Sequence, residues 1–263
     1  MRILIGILII VAILTSGCVS TVNPVDPADV ISSPAPFTIK EFQEQDISVA
    51  ISNNGTGPID SVKVTSFDPF TVVSSGILNI PARTNEVPSS ASISLKVQAP
   101  SFKTDVNNSA MIVSYASGKN DKGEPIIKTK SFPVQVTVLP DAKLQFVGFV
   151  KGPENKMEAE LTSWQIGKGQ NATITFSVRN DGKTTIEKNT LTVLVDIDNK
   201  EIGSNTTLAI SEAMAKGGTS HTEAVVLPVF KDAPNGETDV LVKLLMGDKV
   251  IDMKTIQLKV LLT

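Results

Sequence analysis

Hydrophobic and polar residues alternate along most of this chain. Ile47, Val49 and Ile51 alternate with Ser48, Ala50 and Ser52. Ile93, Leu95, Val97 and Ala99 alternate with Ser94, Lys96 and Gln98, and Val134, Val136 and Val138 with Gln135 and Thr137. A period of two with one apolar face predicts half-buried strands. After a break at Leu139-Pro140-Asp141-Ala142 the pattern resumes. Met157, Ala159 and Leu161 form one face; Ala172, Ile174, Phe176 and Val178 form another. Leu191 to Ile197, Val240 to Met246 and Ile256 to Leu262 follow. No helical stripe of comparable length occurs; Ser211 to Lys216 is expected to make one short helical turn. The expected fold class is all-β.

The two halves repeat one plan. Ile47-Ser-Val-Ala-Ile-Ser-Asn-Asn-Gly55 aligns with Ile174-Thr-Phe-Ser-Val-Arg-Asn-Asp-Gly182, at an offset of 127. Met111 to Gly118 aligns with Val240 to Gly247, and Val134 to Val138 with Ile256 to Val260, at offsets of 129 and 122. Constant order with similar offsets indicates two copies of one unit. The Asn-Asn-Gly and Asn-Asp-Gly elements are read as positive-φ turns that end a strand. Each half is long enough for an immunoglobulin-like sandwich of about 100 residues. The expectation is two tandem immunoglobulin-like β-sandwich domains, residues 36–139 and 142–263.

What precedes them differs in kind. Arg2, an apolar run from Ile3 to Leu14, then Thr15, Ser16, Gly17 and Cys18 form a secretory signal, residues 1–18. The apolar run is shorter than the about 20 residues a membrane-spanning helix needs, which makes an uncleaved transmembrane anchor the weaker reading. Residues 19–35 hold Pro24, Pro27 and Pro34 among Ser, Asp and Asn, and read as an extended tether. Cys18 is the sole cysteine, so no disulfide within the chain is possible.

Charge and chemistry narrow the function classes. The formal net charge of -3 gives no basic field for nucleic acid. His221 is the single histidine, with Ser220 and Glu223 nearby. Strand neighbours point to opposite faces, so Ser220 and His221 diverge, and a solvated strand-edge histidine is expected rather than a triad. One Cys and one His cannot build a zinc site. Calcium takes six or more oxygens; Asp196, Asp198, Asn199 and Glu201, or Asp121 and Glu124, are the clusters to weigh, and both read as polar hairpin tips. Gly167-Lys-Gly169 precedes a strand, unlike a phosphate loop. Tyr115 is expected to pack inside its strand, and Trp164, following a strand, to cap a core. No catalytic residue, metal site, cofactor or small-molecule substrate is identified. Asn54, Asn107, Asn171 and Asn205 each open an Asn-x-Ser/Thr sequon and are candidate N-glycosylation sites.

Two resemblances follow. Ser16-Gly17-Cys18 resembles the lipobox of bacterial and archaeal lipoproteins, with Thr15 standing where that family has Leu. The resemblance implies lipidation of Cys18 and anchoring at the outer face of the cell membrane. The strands ending in Asn53-Asn54-Gly55 and Asn180-Asp181-Gly182, the late glycine and the terminal Val-x-Val strand are similar to CARDB and S-layer-related immunoglobulin-like domains of prokaryotic, especially archaeal, surface proteins. That similarity implies a non-catalytic structural or adhesive envelope role through contacts with other surface proteins. The alternative expectation is an accessory binding subunit of a surface transport, secretion or pilus system.

Overall fold

The computed structural model describes residues 34–85, 87–151, 156–158 and 163–261. The signal segment, Cys18 and residues 19–33 of the tether lie outside the described residues, as do 159–162 of the strand expected around Met157 to Leu161. Every regular element among the described residues is a strand. The N-terminal half holds β1 (Phe37–Lys40), β2 (Glu44–Asn53), β3 (Ile59–Asp68), β4 (Thr71–Ser75), β5 (Leu78–Ile80), β6 (Ser89–Gln98), β7 (Ala110–Lys119), β8 (Pro125–Pro133) and β9 (Val136–Leu139). The C-terminal half holds β10 (Ala142–Lys151), β11 (Lys156–Glu158), β12 (Ser163–Gly167), β13 (Asn171–Asn180), β14 (Thr192–Ile197), β15 (Thr206–Ala209), β16 (Thr219–Pro228), β17 (Gly236–Met246) and β18 (Lys249–Leu261).

In the C-terminal half the sheets run β11-β10-β13-β16 and β12-β18-β17-β14-β15. In the N-terminal half they run β2-β6-β4 and β5-β3-β7-β8, with β1 paired to β9. Alternation decides the layering, because each strand turns its apolar residues to one side. Buried residues from facing sheets then meet. Ile174, Phe176 and Leu227 from one sheet share a cluster with Val193, Val242 and Leu258 from the other. Val49, Ile51 and Leu95 likewise share one with Val64, Met111 and Val113. Each half is therefore a sandwich with its own core.

The duplication extends into the turns. Phe37 pairs in parallel with Val136, and Trp164 in parallel with Leu258. Five residues on, Phe42 has φ 58 and Gly169, at the equivalent place, has φ 70. The Phe42 N–H donates to Ala99 O and the Gly169 N–H to Phe230 O, each at 3.1 Å. Gly118 and Gly247, the aligned late glycines, both have positive φ.

Three expectations need correction. Ser211 to Lys216 is not helical: Met214 bridges Ile186 in antiparallel fashion and is fully buried, so tertiary pairing overrides the local pattern. Trp164 does not follow a strand but lies within β12, 1% exposed in the core. Gly55 and Gly182 are not among the positive-φ residues. The asparagine side chain makes those turns instead, with Asn53 and Asn180 both 0% exposed.

The halves meet at a joint. Phe102 packs against both cores. Lys40 Nζ donates to Asp141 Oδ1 at 3.4 Å and to Ala142 O at 3.3 Å. Ser101 Oγ lies 2.8 Å from Thr184 Oγ1, Lys103 pairs with Glu187 at 2.9 Å, and Lys183 Nζ sits 5.3 Å from the centre of the Phe42 ring. Glu41, 2% exposed, presses against Gly182, where an added Cβ would lie 2.1 Å from Glu41 Oε1.

Candidate functional site

His221 lies on β16, the outer strand of its sheet. It is not solvated, as an edge position suggested; its side chain is only 15% exposed. Nε2 lies 2.6 Å from Glu223 Oε1 and Nδ1 lies 3.2 Å from Glu212 Oε2. Residues 221 and 223 share a strand face, which brings ring and carboxylate together. Glu212 arrives from the segment between β15 and β16. Ser211 completes the group: its N–H and its Oγ both donate to Glu223 Oε1, at 3.2 and 3.0 Å. Burial pushes the Glu223 carboxyl up, but the bonds from His221 and Ser211 outweigh it and hold the group below its ordinary value. Ser220 is exposed, and the hydroxyl beside Glu223 belongs to Ser211. Ser211 and His221 thus both bond to one carboxylate, an arrangement that clamps the Ser211–Glu212 segment onto β16. A nucleophile would need the hydroxyl bonded to the base.

Asp196 lies on β14 with Lys243 across the ladder on β17 and Lys200 in the following turn. Lys200 Nζ lies 2.7 Å from Oδ1 and Lys243 Nζ 2.8 Å from Oδ2. The bonds from Lys200 and Lys243 hold the carboxyl at about 2, against the burial that would raise it. Two ammonium groups therefore occupy the oxygens a calcium ion would take. The rest of that cluster builds the hairpin tip: the Glu201 N–H donates to Asn199 Oδ1, and the Asn199 N–H to Thr238 Oγ1, both at 3.0 Å. At the β7–β8 turn, Asn120 Oδ1 accepts from the Lys122 and Glu124 N–H groups. Among the described residues no group of three or more His, Cys, Asp or Glu side chains is placed to hold a metal. Gly167 to Gly169 forms the β12–β13 turn, with the Gly169 amide bonded to Phe230 O.

Asn54, Asn107, Asn171 and Asn205 are all exposed. Asn205 Oδ1 accepts from the Ile197 N–H and from Lys200 Nζ, at 3.2 and 2.7 Å. In the Asn107 sequon, Ser109 is 2% exposed and donates to Val106 O. Tyr115 is 1% exposed and packs, as its alternating strand implies. Cys18, the candidate lipidation site, lies outside the described residues.

The arrangement the sequence did not announce is at β2. It is ten residues long, pairs with β6 from Glu44↔Gln98 to Asn53↔Ser89 without a register shift, and has no strand on its other side among the described residues.

No protein-family model matches the chain, and no curated protein matches it in sequence. Solved structures similar to it include red sea bream transglutaminase, at 11% identity and a TM-score of 0.36, covering 89% of this chain and 31% of that one. The chain thus spans about a third of the transglutaminase's length. A protein of unknown function from Porphyromonas gingivalis W83 is similar at 11% identity and a TM-score of 0.28, covering 88% and 98% of the two chains. The YadV chaperone is similar at 13% identity and a TM-score of 0.27, covering 87% and 99%.

Proposed function

We propose that this chain is a non-catalytic, lipid-anchored cell-surface protein whose two tandem immunoglobulin-like domains act through contacts with other envelope proteins. The observation that carries the reading is the position of Cys18. The only cysteine of the chain closes an apolar run of signal-peptide length and is followed by a proline-bearing stretch. A duplicated sandwich unit comes next, which suits a chain that presents surfaces at a distance from its anchor. The titratable groups support a structural role. The ring nitrogens of His221 both face carboxylates, and Asp196 lies between two lysines.

Intact-mass spectrometry of the membrane-bound mature protein, beside a Cys18→Ser variant, tests it. The expected result is a chain that begins at Cys18 with added lipid mass, and a variant that is unprocessed or released. A soluble, unlipidated chain that begins elsewhere overturns the anchor.

A further inference from the structure

His221 and Glu223 stand where the twin half is apolar. β16 pairs with β13 as β6 pairs with β2, with Thr219 opposite Asn180 as Ser89 is opposite Asn53. His221 therefore takes the place of Ala91, and Glu223 that of Ile93, which is 1% exposed in the N-terminal core. Both positions lie on the core-facing side, opposite the fully buried Val178 and Phe176. The sandwich closes this place in one half without ionisable groups, and the other half departs from that solution.

What these groups hold is the crossing between β15 and β16. β15 is the outer strand of the five-stranded sheet and β16 the outer strand of the facing four-stranded one, so the crossing closes a side of the sandwich. Its apolar residues are fixed. Ile210 is buried and its N–H donates to Leu191 O at 2.9 Å; Met214 is buried and exchanges backbone bonds with Ile186. Between them Ser211, Glu212 and Ala213 are exposed.

The two polar ties on this stretch differ in what they require. Ser211 bonds Glu223 through its N–H and its Oγ whatever the state of the ring. Glu212 is tied through His221 Nδ1, at 3.2 Å. A neutral imidazole carries one N–H, so only the imidazolium donates to Glu212 and Glu223 together. With a single proton, the ring keeps it on Nε2, where Glu223 Oε1 lies at 2.6 Å with its side chain only 15% exposed. Nδ1 then turns a lone pair towards the Glu212 carboxylate. The Glu212 side chain is 71% exposed and has water to move into. On β13 the ring has Val178 opposite; the next residue, Arg179, lies on the other face and pairs with Asp181.

We infer that His221 is a protonation switch on this crossing. As imidazolium it holds Glu212 and Glu223 together and draws residues 211–213 against β16; as neutral imidazole it keeps Glu223 and releases Glu212. The switch is closed in mild acid and opens as the pH rises through the range in which imidazoles ordinarily titrate, about 6.5. The N-terminal half, with Ala91 and Ile93 at these places, is indifferent to the same change.

The test is solvent exchange of the Ser211 amide, read by NMR on the full chain and divided by the intrinsic rate at each pH. Protection should fall about two- to fivefold between about pH 5.5 and 7.5, the size of a partly exposed ion pair. Glu212→Gln should abolish the fall, because a carboxamide accepts from the imidazolium and donates to the neutral ring. Glu212→Ala should show the lower protection at both pH values. Wild-type protection that does not change with pH overturns the switch. A fall of the same size in Glu212→Gln overturns it too, by placing the titrating pair elsewhere, as does full protection of Glu212→Ala in mild acid. Neither the lipid anchor nor a partner enters this test.

Discussion

Asn53 and Asn180 make the same set of hydrogen bonds, each within its own half. Each side-chain amide nitrogen donates to three carbonyl oxygens: Gly57, Ile80 and Pro81 for Asn53, and Thr184, Met214 and Ala215 for Asn180. Each Oδ1 accepts from the N–H two residues on, of Gly55 at 2.9 Å and of Gly182 at 3.0 Å. One buried amide thus ties the end of its strand to the turn that follows and to a distant loop.

Replacing either asparagine by alanine leaves up to three carbonyls and one N–H without this partner, in places where it is the asparagine that excludes water. Asn180→Ala and Asn53→Ala should each cost about 2–4 kcal/mol, given about 1–3 kcal/mol for each buried polar group left unsatisfied and partial relaxation. Asp in place of Asn180 should be at least as damaging, since a carboxylate oxygen would then face three carbonyl oxygens. Urea unfolding measures both; a cost below about 1 kcal/mol would show that water takes over these bonds.

That pair also marks where the sequence stopped being informative. Alternation located the strands, because facing a core from a pleated sheet imposes period two on the residues themselves. The repeat was legible for the same reason. The Asn-Asn-Gly signature, however, looks identical whether the backbone turns by positive φ or the side chain turns inward as a brace. What decides it is burial beneath Ile80–Pro81 or Met214–Ala215, which are distant in the chain. Phe42 gave no local signal: an aromatic residue holds a left-handed conformation that its twin gives to Gly169. That β2 lies at the outside of its sheet among the described residues was unreadable, because strand order depends on pairings that composition does not encode.

Gly182 should be intolerant of a methyl group for a reason outside its own half. An alanine Cβ would lie 2.1 Å from Glu41 Oε1, so Gly182→Ala must push Glu41 aside at the joint. The expected outcome is a loss of about 1–3 kcal/mol. Glu41→Ala in the same chain should recover part of it, giving a coupling of about 0.5–3 kcal/mol. Additive effects of the two substitutions would mean that this contact does not transmit between the halves. Trp164, the single tryptophan, is buried in β12 and gives a fluorescence signal from the C-terminal core alone.

Equivalent isoleucines should respond unequally. Ile174 is fully buried under β10, and truncating such a residue to alanine costs about 2–5 kcal/mol. Ile47 is half-buried at the open β2 edge, so Ile47→Ala should cost less than half as much, because water already reaches part of the side chain. Equal losses in parallel urea titrations would mean that the β2 edge is covered in solution.

Acid should weaken the C-terminal half through Asp196 in particular. Its folded pKa, about 2, lies below the ordinary carboxyl value of 3.8, because Lys200 and Lys243 stabilise the carboxylate. The folded state therefore binds the proton less readily than the unfolded state. The stabilisation is fully present above about pH 4 and disappears as the pH falls towards 2. Asp181 and Glu223 are lowered too, the first by Lys143 and Arg179 against the burial that raises it, and they act in the same direction. Asp196 is partly solvent-screened, which limits its share to about 1 kcal/mol. Asp196→Asn should thus lower stability at pH 7 by that order and flatten the dependence between pH 4 and 2, leaving the part due to Asp181 and Glu223. If stability against urea falls as steeply over that interval in Asp196→Asn as in the wild type, the two lysines do not hold the carboxylate in solution.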